Sequence, residues 1–122
     1  MTKKQIKLTQ CQSADCPLDS LKAVKDALQA LNGTWKLPII ISLTTGKKRF
    51  KQIAREVEGI SDKMLSKELK DLEMNKLVTR TIHATFPPTV EYSITSHTKT
   101  LRKVIAALRD WGQIHRNEII GK

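Results

Sequence analysis

The chain has 122 residues, a length typical of one domain with short flanking elements. Hydrophobic residues make up 39% of it and charged residues 28%, which favours a packed core over wholesale disorder. Lysine and arginine number 22 against 12 acidic residues, so the formal net charge is +10 and nucleic acid is the commonest kind of partner to expect. No apolar run approaches the roughly 20 residues that span a bilayer, which excludes a membrane-spanning helix.

The cysteines and the N-terminus point to a reducing, cytoplasmic location. Lysines near the N-terminus are not followed by a hydrophobic stretch, so we expect no secretory signal and no membrane partner. Two cysteines occur, Cys11 and Cys16, and they do not form a CxxC pair or combine with histidines at zinc-finger spacing. We therefore expect no structural metal and no cofactor, and two thiols of the kind kept reduced in the cytoplasm.

Apolar periodicity predicts four helices in the first part of the chain. Residues 1–15 are polar and are interpreted as an N-terminal arm, while residues 16–122 are assigned to the folded domain. A first helix opens at Cys16-Pro17, carries an apolar stripe and ends before Asn32-Gly33. Three further helices are predicted over residues 34–43, with Thr34 as cap, over 50–57, and from a Ser61 cap to about residue 75.

The second part of the chain predicts a hairpin and one more helix. Residues 77–84 and 90–95 are rich in β-branched side chains and are separated by Pro87-Pro88, which is typical of two paired strands. A last helix starts near Ser96. Its apolar stripe comprises Leu101, Val104, Ile105, Leu108 and Trp111. The fold predicted is mainly α with a small β-hairpin: a winged helix-turn-helix, in which two short helices joined by a tight turn precede the hairpin.

The fourth helix has the charge pattern of a helix that reads DNA. At about 100° per residue, Leu65, Leu69 and Leu72 point one way. Lys63, Lys67 and Lys70 share the opposite side. A solvated surface helix also places lysines outward, but it usually mixes signs there, whereas this side holds only positive charge. The pattern therefore favours insertion into a major groove over a plain solvated surface.

Candidate DNA-binding residues follow from this placement. Near the start of the fourth helix, Lys63, Ser66 and Lys67 are expected to reach bases, with Met64 as an apolar contact and Lys70 on the same side. Ser61 is expected to cap the helix and to lie beside a phosphate. The remaining candidates are backbone or minor-groove contacts at the entry of the third helix and in the hairpin: Lys47, Lys48, Arg49, Arg80, His83, Thr85 and Thr89.

These residues, taken in order, resemble a known family. The chain is similar to the HxlR-type family of bacterial and archaeal winged-helix transcription regulators, relatives of the MarR group, from Cys16 to about Gly112. The matching stretches are Cys16-Pro17; Gly33 with Trp35; Gly46 with Arg49-Phe50; Gly59-Ile60-Ser61-Asp62-Lys63-Met64-Leu65; Leu69 with Leu72-Glu73; Leu77-Val78; Pro87-Pro88 with Val90-Glu91-Tyr92; Thr95; and Leu108 with Trp111-Gly112.

The resemblance implies a homodimer that binds a roughly palindromic operator in double-stranded DNA. In this family the first and last helices build the dimer interface, and several members respond to electrophiles, aldehydes or oxidants through the cysteine that matches Cys16. The chain departs from the family where Asn32 and Thr34 replace a usual glycine and lysine, and where Lys76 and Thr98 replace usual glycines. These departures concern local turns and leave the fold assignment standing.

Cys16 permits two interpretations that the sequence leaves open. At a helix N-terminus, partial positive charge favours a reactive thiolate, while Asp15 and Asp19 oppose it. Cys16 is then either a redox or electrophile sensor, with Cys11 as its resolving thiol, or an ordinary cap or interface residue.

Other classes of function are less well supported. The three histidines, His83, His97 and His115, are scattered, and no nucleophile set or phosphate-binding glycine loop occurs, so we expect no enzyme. The leading hypothesis is a dimeric, sequence-specific regulator. The alternatives are a non-specific architectural DNA- or RNA-binding protein and, third, an interaction adaptor that lost DNA binding. The sequence identifies no operator, inducer or sign of regulation.

Overall fold

The computed structural model describes residues 17–121. The predicted arm, Cys11 and Cys16 lie outside these residues. The described elements are α1 (Pro17–Ala30), α2 (Lys36–Leu43), α3 (Phe50–Glu56), α4 (Asp62–Met74), β1 (Val78–His83), β2 (Thr89–Ile94), α5 (Ser96–Lys99) and α6 (Arg102–Ile120). The chain divides into two compact units at residues 33 and 34, so α1 belongs to the first unit and all later elements to the second.

The core of the second unit is formed by apolar side chains of three helices. Ile39 and Ile40 of α2, Ile53 of α3 and Leu65 of α4 are fully buried. Leu69 and Leu72 continue the α4 row into the same core. Burial of side chains of this size contributes on the order of 1.5–3 kcal/mol each, so these positions hold the helices together. The mainly helical fold with a small hairpin is confirmed.

The hairpin is a two-stranded antiparallel sheet that is joined by one isolated bridge from the segment before α3. β1 and β2 pair in register from Val78 opposite Ile94 to His83 opposite Thr89. Lys48 forms an isolated bridge to Tyr92, in which each backbone N–H donates to the other residue's carbonyl, with N···O distances of 2.9 and 2.8 Å. The segment before α3 is therefore tied to the hairpin through backbone hydrogen bonds.

A buried ion pair joins α2 to α4. The Lys36 ammonium lies 2.5 Å from Glu68 Oε1, and both side chains are about nine-tenths buried. Asp71 Oδ2 lies 3.7 Å from the same ammonium. Because an unpaired charge at this depth would be strongly destabilising, the pair fixes the rotational setting of α4 relative to α2.

Two predicted helix boundaries differ in the structure. Helix α2 begins at Lys36 with Trp35 at its N-cap and no side-chain cap hydrogen bond, so the prediction that Thr34 caps it is wrong. The last predicted helix is interrupted, since α5 ends at Lys99 and α6 begins after Leu101. A side-chain hydroxyl favours the break. Thr100 Oγ1 donates a hydrogen bond to the carbonyl of His97, and this bond competes with the regular backbone hydrogen bonds of a helix.

The departures from the family at Lys76 and Thr98 are accommodated locally. Lys76 adopts a left-handed conformation with φ of 63°, the geometry that a glycine at this position would take without strain. Thr98 is buried, and its hydroxyl donates to the carbonyl of Leu77 at 2.7 Å. The turn after α4 thus holds a non-glycine residue in a strained conformation, and the Thr98 hydroxyl ties α5 to the residue that precedes β1.

The first and last long helices expose apolar side chains. Leu21 and Val24 on α1 are about half exposed, and Leu28 is 65% exposed. No residue of α6 is buried, although Leu108 and Trp111 are large apolar side chains. Among the described residues, no helix is long and apolar enough to cross a membrane.

Candidate nucleic-acid interface

The start of α4 is fixed by its cap. The Ser61 side chain accepts a hydrogen bond from the backbone N–H of Met64 at 3.1 Å, as the sequence predicts. This bond, together with the turn at Gly59, whose φ is 91°, sets the angle at which the helix leaves the core. The residues that follow the cap are therefore held in place.

The two sides of α4 are separated as the sequence predicts. Leu65, Leu69 and Leu72 are at most 1% exposed. The lysines at the opposite side, Lys63, Lys67 and Lys70, are all exposed. The apolar side docks against the chain itself, and the cationic side is left free for a partner.

A groove lies between the cationic side of α4 and the hairpin. Its volume is about 650 Å³, and its walls include Arg80 of β1 and Tyr92 of β2. Arg80 and Tyr92 are direct cross-strand partners, so their side chains leave the same face of the hairpin. The α4 residues in the groove are Lys63, Ser66, Lys67, Lys70 and Glu73. We call this surface the α4 groove; it unites five residues predicted from sequence (Lys63, Ser66, Lys67, Lys70, Arg80) with two that were not.

The lysines of the α4 groove are only weakly neutralised. Lys67 Nζ lies 3.5 Å from Asp71 Oδ2, an i,i+4 pair whose lysine side chain is 65% exposed. Exposed pairs of this kind are worth roughly 0.3–0.5 kcal/mol, so they yield readily to a phosphate. Within the described part of the chain, no carboxylate lies within 4.0 Å of Lys63 or Lys70.

Lys48 does not belong to the α4 groove, and the prediction that it contacts a phosphate is corrected by its burial. Lys48 is 8% exposed. Its ammonium donates to the carbonyl of Ser42 at 2.7 Å and to the Thr45 hydroxyl, and it lies 3.6 Å from Glu56 Oε1. The physical reason is the strand bridge to Tyr92, which turns this side chain inward. Lys48 therefore anchors the C-terminal end of α2.

The polar hairpin candidates are mostly engaged within the hairpin. His83 Nε2 lies 2.7 Å from Glu91 Oε1, and Lys47 Nζ lies 3.8 Å from the same oxygen. The hydrogen bond from His83 holds the pKa of Glu91 below its usual range. Thr85 donates its hydroxyl to the carbonyl of Pro87 at 2.7 Å, and Thr89 pairs with His83 across the strands. These residues define the shape of the hairpin more than they offer free donors.

A second cationic groove contains the predicted candidates Arg49 and Thr89 together with Lys51 and Arg55, which were not predicted. Arg49, Lys51 and Arg55 line a groove of about 730 Å³ between α3 and hairpin residues 88–90. Lys51 and Arg55 are four residues apart and so share one side of α3. That spacing was the signal available in the sequence. We call this surface the α3 groove. Among residues 17–121, no group of three potential metal-ligating side chains comes together.

Comparison with known proteins assigns the family. The model of the HxlR-like helix-turn-helix family matches residues 30–119. The HTH-type transcriptional regulator YtcD of Bacillus subtilis is 33% identical over 99 residues, which cover 81% of this chain and 79% of YtcD. A relative of the same description from Methanothermobacter thermautotrophicus is 34% identical over 95 residues, covering 78% of this chain and 72% of that protein.

Solved structures agree with the family assignment. The redox regulator HypR in its reduced form has a TM-score of 0.76 and 31% identity, covering 82% of this chain and 99% of that chain. The reduced form of the transcriptional regulator YodB from B. subtilis has a TM-score of 0.66 and 36% identity, covering 71% of this chain and 85% of that chain. The family model matches most of the chain, and the helix beside the hairpin exposes a cationic side. The chain therefore belongs to the HxlR-like helix-turn-helix family of transcriptional regulators.

Proposed function

We propose that this protein is a homodimeric, sequence-specific DNA-binding regulator of transcription. Helix α4 enters the major groove, with Lys63, Ser66 and Lys67 toward the bases, and the α4 groove receives a phosphate backbone at Lys70 and Arg80. The observation that carries the proposal is the exposed side of α4, where three lysines outnumber the single carboxylate of Glu73, on a helix whose leucine side is completely buried. Acting on chromosomal DNA, the protein functions in the cytoplasm.

The contacts at the edge of the interface follow from the same placement. Ser61 sits at the N-terminus of α4, where freed backbone N–H groups attract a phosphate, and Met64 is half-buried beside it. Lys47 and Arg49 are exposed at the entry of α3 and suit backbone contacts. The hairpin contacts the duplex with the shape that His83, Thr85 and Thr89 give it through their bonds within the hairpin.

The dimer is supported by apolar surface that the chain leaves uncovered. Leu108 is 48% and Trp111 60% exposed on α6, and α1 also exposes an apolar row. Exposed rows of large apolar side chains are typical of interaction sites in soluble proteins. A two-fold dimer places two α4 helices on one duplex, and its formal charge of about +20, twice the chain's +10, predicts affinity that falls steeply with salt.

Selection from a random duplex library tests sequence specificity. The purified full chain is used to enrich bound DNA, and the enriched sequence is then titrated against random duplex as competitor. We expect an inverted repeat and a preference of about a thousandfold or more for the enriched sequence at physiological salt. Equal competition by random duplex would support the architectural alternative and contradict the proposal.

The adaptor alternative has a separate outcome. A chain that has lost DNA binding would enrich no sequence and would bind random duplex no better than a neutral protein. The net charge and the lysines of the α4 groove argue against this outcome. Substituting Lys67 by Ala should weaken operator binding, while Lys103→Ala, an exposed lysine on α6, serves as a control of equal charge change.

We also propose that Cys16 senses oxidants, with Cys11 as its resolving partner. The proposal is supported by the similarity to HypR, which is described as a redox regulator. Hydrogen peroxide would oxidise the Cys16 thiolate to a sulfenic acid with release of hydroxide. Attack by the Cys11 thiol on the sulfenic sulfur then forms the disulfide and releases water. Because Cys16 immediately precedes α1, the new bond would change the setting of that helix.

Operator binding before and after peroxide treatment tests this role. We expect the affinity of the wild type to change and to return on reduction with a thiol. Cys16→Ser should be insensitive to peroxide, while Cys11→Ser should stop at the sulfenic acid, which a dimedone adduct would report by mass. Unchanged affinity of the oxidised wild type would contradict a sensing role.

A further inference from the structure

The tip of the hairpin presents a fully exposed aromatic side chain. Phe86, in the loop between β1 and β2, is fully exposed, more so than any other large apolar residue of the described chain. The loop positions it: the backbone N–H of Thr85 donates to the carbonyl of His83 at 2.8 Å, and the Thr85 hydroxyl donates to that of Pro87 at 2.7 Å. Two consecutive prolines follow and restrict the backbone further. The ring is therefore held out into solvent by a constrained loop.

The hairpin tip lacks the cations that would make it an electrostatic contact. Between Ile82 and Val90 the chain contains no lysine or arginine. The one histidine there, His83, is hydrogen-bonded to Glu91. Affinity for an acidic partner at this tip thus has to come from a contact other than charge pairing.

Positive charge lies directly beside the tip instead. Pro88, Thr89 and Val90 form one wall of the α3 groove, whose other wall carries Arg49, Lys51 and Arg55. No aspartate or glutamate lines this groove. Within the described part of the chain, no carboxylate lies within 4.0 Å of these three cations. A phosphate backbone seated in the α3 groove would bring the neighbouring groove of the duplex against the loop that carries Phe86.

We propose that Phe86 is an apolar wedge that enters the minor groove of duplex DNA while Arg49, Lys51 and Arg55 hold the adjacent backbone. Apolar side chains inserted from the minor groove partly unstack a base step and bend the duplex. The inference rests on the proposed DNA-binding function and specifies how the hairpin takes part in it. It predicts a preference for an easily unstacked pyrimidine–purine step in the DNA that flanks the sequence read by α4.

Salt dependence separates a wedge from an ionic contact. Phe86→Ala should lower affinity for the enriched operator about tenfold. It should leave the slope of log affinity against log salt unchanged, because no counterion release is lost with an apolar ring. Arg55→Gln should instead reduce that slope by about one unit. Ile41→Ala, at an exposed apolar position on α2, is the matched control and should alter neither quantity.

DNA bending gives the second readout. With fluorophores at both ends of the operator duplex, the wild type should shorten the end-to-end distance more than Phe86→Ala does, and Phe86→Trp should keep both the affinity and the bend. Equal affinity of Phe86→Ala, a lower salt slope for that variant, or a bend unchanged by it would each overturn the inference while leaving the proposed function intact. A wild type that binds no duplex would overturn both.

Discussion

Helices α4 and α6 are both amphipathic, but only α4 has its apolar side covered by the chain. On α4, Leu69 is 1% exposed, whereas Leu108 on α6 is 48% exposed. The buried leucines dock α4 against the core and turn its lysines outward, while the apolar stripe of α6 stays exposed to solvent. The same amphipathic pattern thus gives one helix that exposes its polar side and another that exposes its apolar side. The side of an amphipathic helix that is available to a partner is decided by what covers its apolar residues.

The largest expected effect is on the free energy of unfolding, and it separates the buried ion pair that holds α4 from an exposed ion pair on α6. Lys36→Met leaves Glu68 buried without its partner, and we expect it to lower the free energy of unfolding by about 3–5 kcal/mol. Arg109→Met, which breaks the exposed Arg109–Asp110 pair on α6, should change it by less than about 1 kcal/mol. Denaturant titration of both variants measures the contrast. Equal effects would contradict the claim that α4 is fixed by buried interactions.

Truncating one leucine on each helix sharpens the contrast. Leu69→Ala should cost about 2–5 kcal/mol of stability, because it opens a cavity in the core. Leu108→Ala should be much milder in dilute samples, where the subunits are apart. Thermal unfolding at low protein concentration distinguishes them, and a Leu108→Ala variant as unstable as Leu69→Ala would show that α6 is packed within its own chain.

Self-association tests what covers α6. Trp111→Ala should weaken dimerisation by about 2 kcal/mol, since buried aromatic anchors dominate interfaces of this kind. Sedimentation equilibrium over a range of concentrations measures the change. Met74→Ala, at an even more exposed apolar residue at the end of α4, is the control. A dimer as strong in Trp111→Ala as in the wild type would remove α6 from the interface.

The smallest effect concerns the hairpin beside α4. The hydrogen bond from His83 keeps the pKa of Glu91 below its ordinary value of 4.5. A lowered carboxyl pKa contributes stability above the unfolded value, and that stability is lost as the pH falls through the folded value. Glu91→Gln should therefore be slightly less stable than the wild type at neutral pH, with the difference vanishing in acid. A difference that instead grows on acidification would contradict this assignment.

Much of the α4 side could be predicted from local pattern. The Ser61 cap, the three buried leucines and the three exposed lysines all follow from helical spacing, which is a local property. Each predicted strand end lies one residue from its observed bound, because β-branched runs and the intervening prolines are also local signals.

What the sequence missed depends on tertiary contacts. Lys48 belongs to an exposed-looking basic triplet, but the bridge to Tyr92 turns it inward. Glu68 looks like a flanking surface charge until Lys36, 32 residues earlier, meets it in the core. The helix break near Thr100 and the position of Phe86 are instead accompanied by short-range hydrogen bonds of Thr100 and Thr85, which apolar periodicity does not register. Helical periodicity ranks residues around one axis and carries no information about the neighbouring element.

The salt dependence of DNA binding tests the central claim most directly. The double variant Lys70→Ala/Arg80→Ala, titrated with the enriched operator over a range of salt concentrations, is compared with Lys99→Ala/Lys103→Ala, which removes the same charge from exposed positions outside the α4 groove. We expect the variant in the α4 groove to lose about two units of the log–log slope per subunit bound, while the control keeps nearly the wild-type slope. Equal slopes for both double variants would show that the α4 groove does not lie against the duplex.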